Sequence, residues 1–231
     1  MHYGTLFIVA TPIGNLQDIT FRAFEVLKTV DYIACEDTRR TGILLKSFKI
    51  DHHPMLISFY EQNEIVRLPN ILNLLKNERD VAIVSDSGTP TLSDPGFKLV
   101  RECIREGIKV ISIPGPSASI SALVSSGLPT DKFIFLGFLP RKPGHRLKLL
   151  ENLKLGNEKL EATVIIYEAP HRLVKVLSSI HSVFGNIEIV IMRELTKVHE
   201  EKLQGKIEDL TLVFEKQVPR GEFVILFNNK K

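Results

Sequence analysis

The chain has 231 residues, 44% of them hydrophobic and 25% charged, with 30 Lys/Arg against 27 Asp/Glu and a formal net charge of +3. This composition is that of a globular protein of one large or two medium domains, and it excludes a disordered or low-complexity chain. No apolar run approaches the roughly 18 residues of a membrane span, and the LFIVA run near the N-terminus lacks the basic flank of a signal peptide, so a cytoplasmic protein with no membrane partner is expected.

In chain order, apolar runs alternate with helical patterns: TLFIVAT, a helix from Thr20, DYIACED, a helix from Thr38, PMLISFY, a helix from Glu61, DVAIVSD, a helix from Phe97, and KVISIPG. Strands separated by helices predict an α/β domain with a parallel sheet. The runs lack polar alternation, as strands do when helices cover both faces of a sheet. Cys35 and Cys103 fall inside a strand and a helix, far from metal-ligand spacing, and read as buried thiols in a reducing compartment. The seven histidines form no HxxxH or HExxH pattern, so a catalytic metal has no support.

Three of these strands empty into loops of small residues. Thr11–Asn15 follows the first strand and Pro114–Ser119 the fifth, while the fourth runs into VSDSGTPTLSDPG (Val84–Gly96). A strand-to-helix connection normally needs about 2–6 residues, so the length of this stretch points to a ligand approaching the backbone. Its end reads more simply, with Asp94 as N-cap and Pro95 in the first turn of the next helix. In an open α/β sheet the ligand crevice lies at the carboxyl ends of the strands, where all three loops are expected.

After Gly127–Leu128–Pro129 the rhythm changes. KFIFLGFLP, a basic helix, ATVIIYEAP, a helix over Arg172–Phe184, IEIVIMREL, the polar strand-like KVHEEKLQG, a short helix near Glu208, and EFVILF predict an α+β unit with a mixed sheet. The expected domains are 1–116 and 117–231. Residues 131–231 carry 17 Lys/Arg against 13 Asp/Glu, whereas residues 1–130 carry 13 against 14. The densest basic piece is RKPGHRLKLLENLK, Arg141–Lys154. It reads either as a solvated amphipathic helix, with Leu147, Leu150 and Leu153 inward, or as a phosphate-binding surface.

The loops narrow the choice of cofactor. ATPIGN supplies one glycine where a dinucleotide fold wants GxGxxG, and no GxxxxGK[ST] occurs. A ligand held by backbone groups without a phosphate-binding lysine remains, and S-adenosylmethionine suits that description.

The blocks ATPIGNLQDIT, ACEDTRRTGILL, VSDSGTPTLSDPG, IPGPSASISALVSSGLP, GFLPRK, YEAPHRL, RELTKVHEE and RGEFVIL, in this order, resemble the tetrapyrrole methylase superfamily, and within it the branch acting on small-subunit ribosomal RNA. The resemblance spans about Leu6 to Phe227. It implies a two-domain homodimer that binds S-adenosylmethionine between its domains and methylates the 2′-hydroxyl of a cytidine in the decoding region of 16S rRNA. Its partner would be that RNA or the small ribosomal subunit. The implied cofactor contacts are Pro12, Ile13 and Gly14, then Asp86, Gly88, Thr89 and Leu92, then Ala118 and Ser119, with Tyr167, Leu195 and the Gly221–Glu222 turn from the second domain. Leu195 reads equally as a core residue, and Asp86 as a loop-bracing carboxylate.

A ribose hydroxyl is a weak nucleophile, so a positioned base or cation helps as its proton leaves. Asp37, Arg39 and Glu194 are the expected catalytic residues, although Asp37 also suits a helix start and Glu194 an ion pair with Arg193. Arg141, Lys142 and Arg146 are the expected RNA-phosphate contacts. Two departures stand out: many relatives carry histidines where SFYEQNE has Tyr60 and Gln62, and many continue for several dozen residues beyond the last strand. The rival readings are a methyltransferase of a porphyrinoid or other small molecule, and a noncatalytic RNA-binding assembly factor.

Overall fold

A computed structural model of the chain describes residues 2–50 and 54–228, and these divide into two compact units, Met1–Ser117 and Ala118–Lys231. The first unit alternates β1 (Leu6–Val9), α1 (Phe21–Thr29), β2 (Tyr32–Cys35), α2 (Thr38–Ser47), β3 (Met55–Ser58), α3 (Glu64–Lys76), β4 (Val81–Val84), α4 (Phe97–Arg105) and β5 (Val110–Ile113). Its strands form one parallel sheet in the order β3-β2-β4-β1-β5.

The absence of polar alternation has a direct cause. Successive strand side chains point to opposite faces. Ala82 and Val84 pack into one buried cluster with Ala23, Leu27 and Leu45, while Val81 and Ile83 pack into another with Ile71, Leu75, Leu99 and Cys103. Both faces are therefore apolar. Cys35 and Cys103 lie in these clusters as buried free thiols, and burial pushes the Cys103 thiol up to about 12.

Local signals set the helix starts. Thr20 accepts a hydrogen bond from Ala23 N–H and Asp37 accepts one from Arg39 N–H, each satisfying a donor of a first turn. The helix expected from Glu61 begins three residues later, at Glu64, because Asn63 Oδ1 accepts the Tyr60 N–H and holds that stretch as a turn. The start of α4 departs further. Asp94 is not its N-cap: Gly96 occupies that position with φ +123°, and the Gly96 and Lys98 N–H groups donate to Glu64 Oε1 at 3.1 and 3.3 Å. A carboxylate from the neighbouring helix replaces the local cap.

The second unit contains α5 (Ala118–Ser126), β6 (Phe133–Phe138), α6 (Pro143–Asn157), β7 (Thr163–Glu168), α7 (Leu173–Phe184), β8 (Glu188–Arg193), β9 (Glu201–Lys206), α8 (Ile207–Lys216) and β10 (Phe223–Phe227). The sheet order is β6-β7-β10-β8-β9, with β6 and β7 parallel and the other pairs antiparallel, which is the expected mixed sheet. Residues Leu150, Val176, Ile180, Leu210 and Phe214 of α6, α7 and α8 share a core with Val164, Ile166, Ile191 and Ile225. Helix α5 packs against β7, β8 and β10. No helix among the described residues is long and apolar enough to cross a membrane.

Candidate functional site

Because β4, β1 and β5 are adjacent, the three loops of small residues leave the sheet side by side. Hydrogen bonds stitch them together. Thr11 N–H donates to the Gly88 carbonyl at 2.9 Å and Gly88 N–H returns a bond to the Thr11 carbonyl at 3.1 Å, a two-residue antiparallel bridge between the first and second loops. Buried Thr11 Oγ1 also donates to the Ser85 carbonyl, and Ser85 Oγ to the Gly88 carbonyl, both at 3.2 Å. Thr89 Oγ1 donates to the Pro116 carbonyl at 2.9 Å, which ties the second loop to the third.

Gly88 is required at the centre of this lattice. Its φ is +88°, and a Cβ there would lie 3.2 Å from Ile13 Cγ2. Within the first loop Pro12 and Ile13 are buried and Gly14 is exposed; in the second Leu92 is exposed, and Thr91 and Ser93 flank it with φ of +73° and +67°. The structure thus brings Pro12, Ile13, Gly14, Gly88 and Thr89 together on one edge of the first unit, with the Leu92 turn at the end of the same loop.

A set of carboxylates lies beside this edge. Asp86 accepts the Asp37 N–H at 3.2 Å and pairs with Arg40 Nη1 at 3.0 Å, so it braces the loop against the start of α2. Asp86 N–H in turn donates to Glu36 Oε1 at 3.3 Å. Burial, outweighing that N–H and the Arg40 charge, raises the Glu36 carboxyl. Asp94 is half-buried and hydrogen-bonded to Ser85; burial first, and the Glu36 and Asp86 charges after it, push it up to about 7. Asp37 is the opposite case: Arg39 grips its two oxygens at 3.0 and 2.7 Å and holds the carboxyl far below the usual range. Asp37 and Arg39 are therefore together, as one exposed bidentate pair.

The second-unit candidates form two groups. Ala118 and Ser119 make the first turn of α5 rather than a loop, and Ser119 N–H donates to Tyr167 Oη at 2.9 Å. Tyr167 also sits edge-on to Phe135 and Phe138, at ring-centroid distances of 4.8 and 5.9 Å. In the other group, Glu194 has φ +50° and its Oε1 accepts both Glu222 N–H at 2.9 Å and Lys197 Nζ at 3.0 Å. Burial opposes ionisation there, but the Lys197 and Glu222 hydrogen bonds and the neighbouring cations win, and the Glu194 carboxyl is held below its ordinary value. Its ion pair is with Lys197; Arg193 pairs with Glu201 instead. Gly221, at φ +94°, is where a Cβ would fall 2.6 Å from Glu194 Cγ, so the Glu194 side chain fills the space beside the Gly221–Glu222 turn. Leu195 is buried at 9% exposure.

The basic segment needs one correction. Arg141 and Lys142 are exposed at the start of α6, but Arg146 is 6% exposed, with Nε on Ser179 Oγ at 2.9 Å and Nη1 on the Pro140 and Arg141 carbonyls. It is not free to meet a phosphate. Sequence reasoning passed over Arg40, and it did not foresee the roles of Glu64 as the cap of α4 or of Asp94 as a carboxyl bonded to Ser85; these contacts lie about 30 or more residues away or across a loop closure, which local spacing does not encode.

The tetrapyrrole (corrin/porphyrin) methylase family matches residues 5–211. The chain belongs to the tetrapyrrole methylase family. Among its relatives, the ribosomal RNA small subunit methyltransferase I of Thermotoga maritima is 48% identical over 99% of this chain and 100% of that protein. The protein of the same name from Hydrogenobaculum sp. is 46% identical over 97% and 96%, and that of Halalkalibacterium halodurans 46% identical over 96% of this chain and 75% of its own length. Solved structures with this tetrapyrrole methylase fold include cobalt precorrin-4 methyltransferase, at TM-score 0.71 and 16% identity over 96% of this chain and 94% of that one. Another is the Thermus thermophilus uroporphyrin-III C-methyltransferase complexed with S-adenosylhomocysteine, at TM-score 0.64 and 16% identity over 96% and 97%.

Proposed function

We propose that this chain transfers a methyl group from S-adenosylmethionine to the 2′-hydroxyl of a cytidine ribose in the decoding region of 16S rRNA, acting as a homodimer in the cytoplasm. The observation that carries this reading is the full-length similarity to proteins named ribosomal RNA small subunit methyltransferase I. The first-unit edge fits the donor: three mutually bonded loops with little side-chain bulk, backbone polar groups, a glycine whose replacement would crowd Ile13, and no lysine among the loop residues.

When bound, the donor supplies an electrophilic methyl on a sulfonium. The methyl would pass from sulfur to the ribose oxygen, leaving a neutral thioether, and the hydroxyl proton would pass to solvent water. Alignment supplies much of the rate in such an in-line displacement, and the stitched loops are suited to it because their backbone is ordered before the ligand arrives. Pro12, Ile13, Gly14, Gly88, Thr89 and Leu92 line the donor on the first unit, and Ala118, Ser119, Tyr167, Leu195 and Glu222 are the further contacts that the family resemblance implies. Asp86 serves indirectly, by holding its loop to α2. Asp37 is too well paired to be a strong base. Its role is to orient Arg39, whose exposed guanidinium faces the RNA, while Glu194 fixes the Glu222 turn.

Arg141 and Lys142 dock rRNA phosphates. Changing both to Ala is expected to lower RNA affinity about tenfold near 0.2 M salt, with the slope of log K against log salt smaller by about 1.4–1.8, while S-adenosylhomocysteine binding is unchanged. Labelled S-adenosylmethionine offered with naked 16S rRNA, assembled small subunits or a porphyrinoid tests the reading as a whole. Label in one ribose-methylated cytidine of the 16S chain is expected. Label in the porphyrinoid alone, or in nothing, overturns it.

A further inference from the structure

The loop that carries Arg141 and Lys142 is fastened from beneath by charged groups that the methyl-transfer chemistry does not use. Arg172 Nη2 donates to the Leu139 carbonyl at 2.5 Å, Arg146 Nη1 to the Pro140 and Arg141 carbonyls at 3.3 and 3.4 Å, and Arg146 N–H to the Lys142 carbonyl at 3.1 Å. Three consecutive carbonyls of the β6–α6 connection are thus taken by two guanidinium groups, and the fourth, that of Lys142, accepts the ordinary first-turn backbone bond of α6. Their countercharge is Glu168 at the end of β7, whose side chain is fully buried and whose Oε2 lies 3.2 Å from Arg172 Nη2.

Glu168 Oε1 accepts the Ala169 N–H at 2.8 Å, but Oε2 makes no hydrogen bond among the described residues. Burial accordingly raises this carboxyl, against the Ala169 N–H and the Arg172, Arg146 and His171 charges. Packing alone does not account for such a set, since apolar side chains of similar volume are often at least as stabilising as a buried ion pair. What the charges achieve is direction. With the carbonyls turned inward, the side chains of Arg141 and Lys142 are left exposed, and Lys142, at the N-cap position of α6, makes no side-chain cap bond.

We propose that Glu168, Arg172 and Arg146 are positioning residues for RNA docking: a buried charge brace that presets the Leu139–Arg141 backbone so that Arg141 and Lys142 meet rRNA phosphates without first being ordered. Presetting a loop in its bound conformation improves affinity because less ordering remains to be done on binding. This inference rests on the rRNA reading and gives the basic loop its mechanism.

The test is a double-mutant cycle on small-subunit binding at 50 mM salt, with S-adenosylhomocysteine affinity and thermal melting as controls. Glu168→Gln keeps the side chain's size and is expected to weaken subunit binding several-fold with donor affinity unchanged, and to have no further effect once Arg141→Ala and Lys142→Ala are present. A structural role alone would not produce that non-additivity. Arg172→Lys keeps the charge paired with Glu168 and is expected to act in the same direction, which maintains the test if Glu168→Gln does not fold. Unchanged binding in a folded Glu168→Gln or Arg172→Lys protein, or a loss that persists in the doubly substituted background, overturns the brace. If Arg141→Ala with Lys142→Ala itself changes nothing, the docking reading falls and the brace with it; a loss there but none at Glu168 or Arg172 overturns the brace alone.

Discussion

Asp94 holds its proton at pH values where an isolated aspartate has lost it, because it is half-buried beside Glu36 and Asp86. Below the ordinary aspartate pKa both the native and unfolded states are protonated here. Between there and about 7 the unfolded state loses its proton while the native state keeps it, so this group makes stability fall as pH rises through that window and level off above it. Asp94→Asn keeps a polar group in hydrogen-bond reach of Ser85 and removes the charge. Discounted for partial exposure, the gain at pH 8 is about 1 kcal/mol, a rise of about 2–4 °C in melting temperature, with little change at pH 4. Equal shifts at both pH values would show that its carboxylate is not strained by its neighbours. At Gly88 the constraint is steric: Gly88→Ala forces a side chain into a left-handed conformation beside Ile13, at about 1–2 kcal/mol. Calorimetry should show S-adenosylhomocysteine binding about tenfold weaker; unchanged affinity would remove this loop from the donor site.

At the scale of elements, legibility followed the range of the interaction. Helices whose caps are local, such as α1 with Thr20 and α2 with Asp37, were readable from neighbouring residues, and so were strands whose two faces are both apolar. Helix α4 was not read correctly at its start, because its cap comes from Glu64, 32 residues away. Arg146 was misplaced for the same reason. Leu150 and Leu153 do mark the inward side of α6, where Leu149 rather than Leu147 joins them in the core, but nothing local says that the neighbouring Arg146 reaches Ser179, 33 residues along the chain. The Glu64 contact also yields a prediction. Glu64→Ala leaves the Gly96 and Lys98 N–H groups without their shared acceptor and should destabilise the first unit by about 1–2 kcal/mol in urea unfolding. Glu64→Gln, which keeps an acceptor but loses the 3.1 Å pair with Lys98, should lie between the two. A neutral Glu64→Ala would mean that α4 is capped by solvent.

At the scale of the molecule, charge follows the division of the fold. No Lys, Arg, Asp or Glu occurs between Ser117 and Thr130, so the counts by sequence half apply to the units themselves: 13 basic against 14 acidic residues in the first, 17 against 13 in the second. The unit with the proposed donor loops is near neutral and the one with Arg141 and Lys142 is basic, so the two proposed ligands would meet different fields. A polyanionic substrate should be attracted chiefly by the second unit, and its capture should weaken as salt displaces the counterion-release contribution. With two phosphate contacts, kcat/KM for small subunits is expected to fall about tenfold between 50 and 200 mM monovalent salt. The dissociation constant of S-adenosylhomocysteine, measured over the same range, should change less than twofold, because the proposed donor contacts are mostly backbone and small side chains. Parallel losses in both quantities would place the salt-sensitive step in donor binding, and a flat kcat/KM would mean that the subunit is recognised by shape or base contacts rather than through the basic loop.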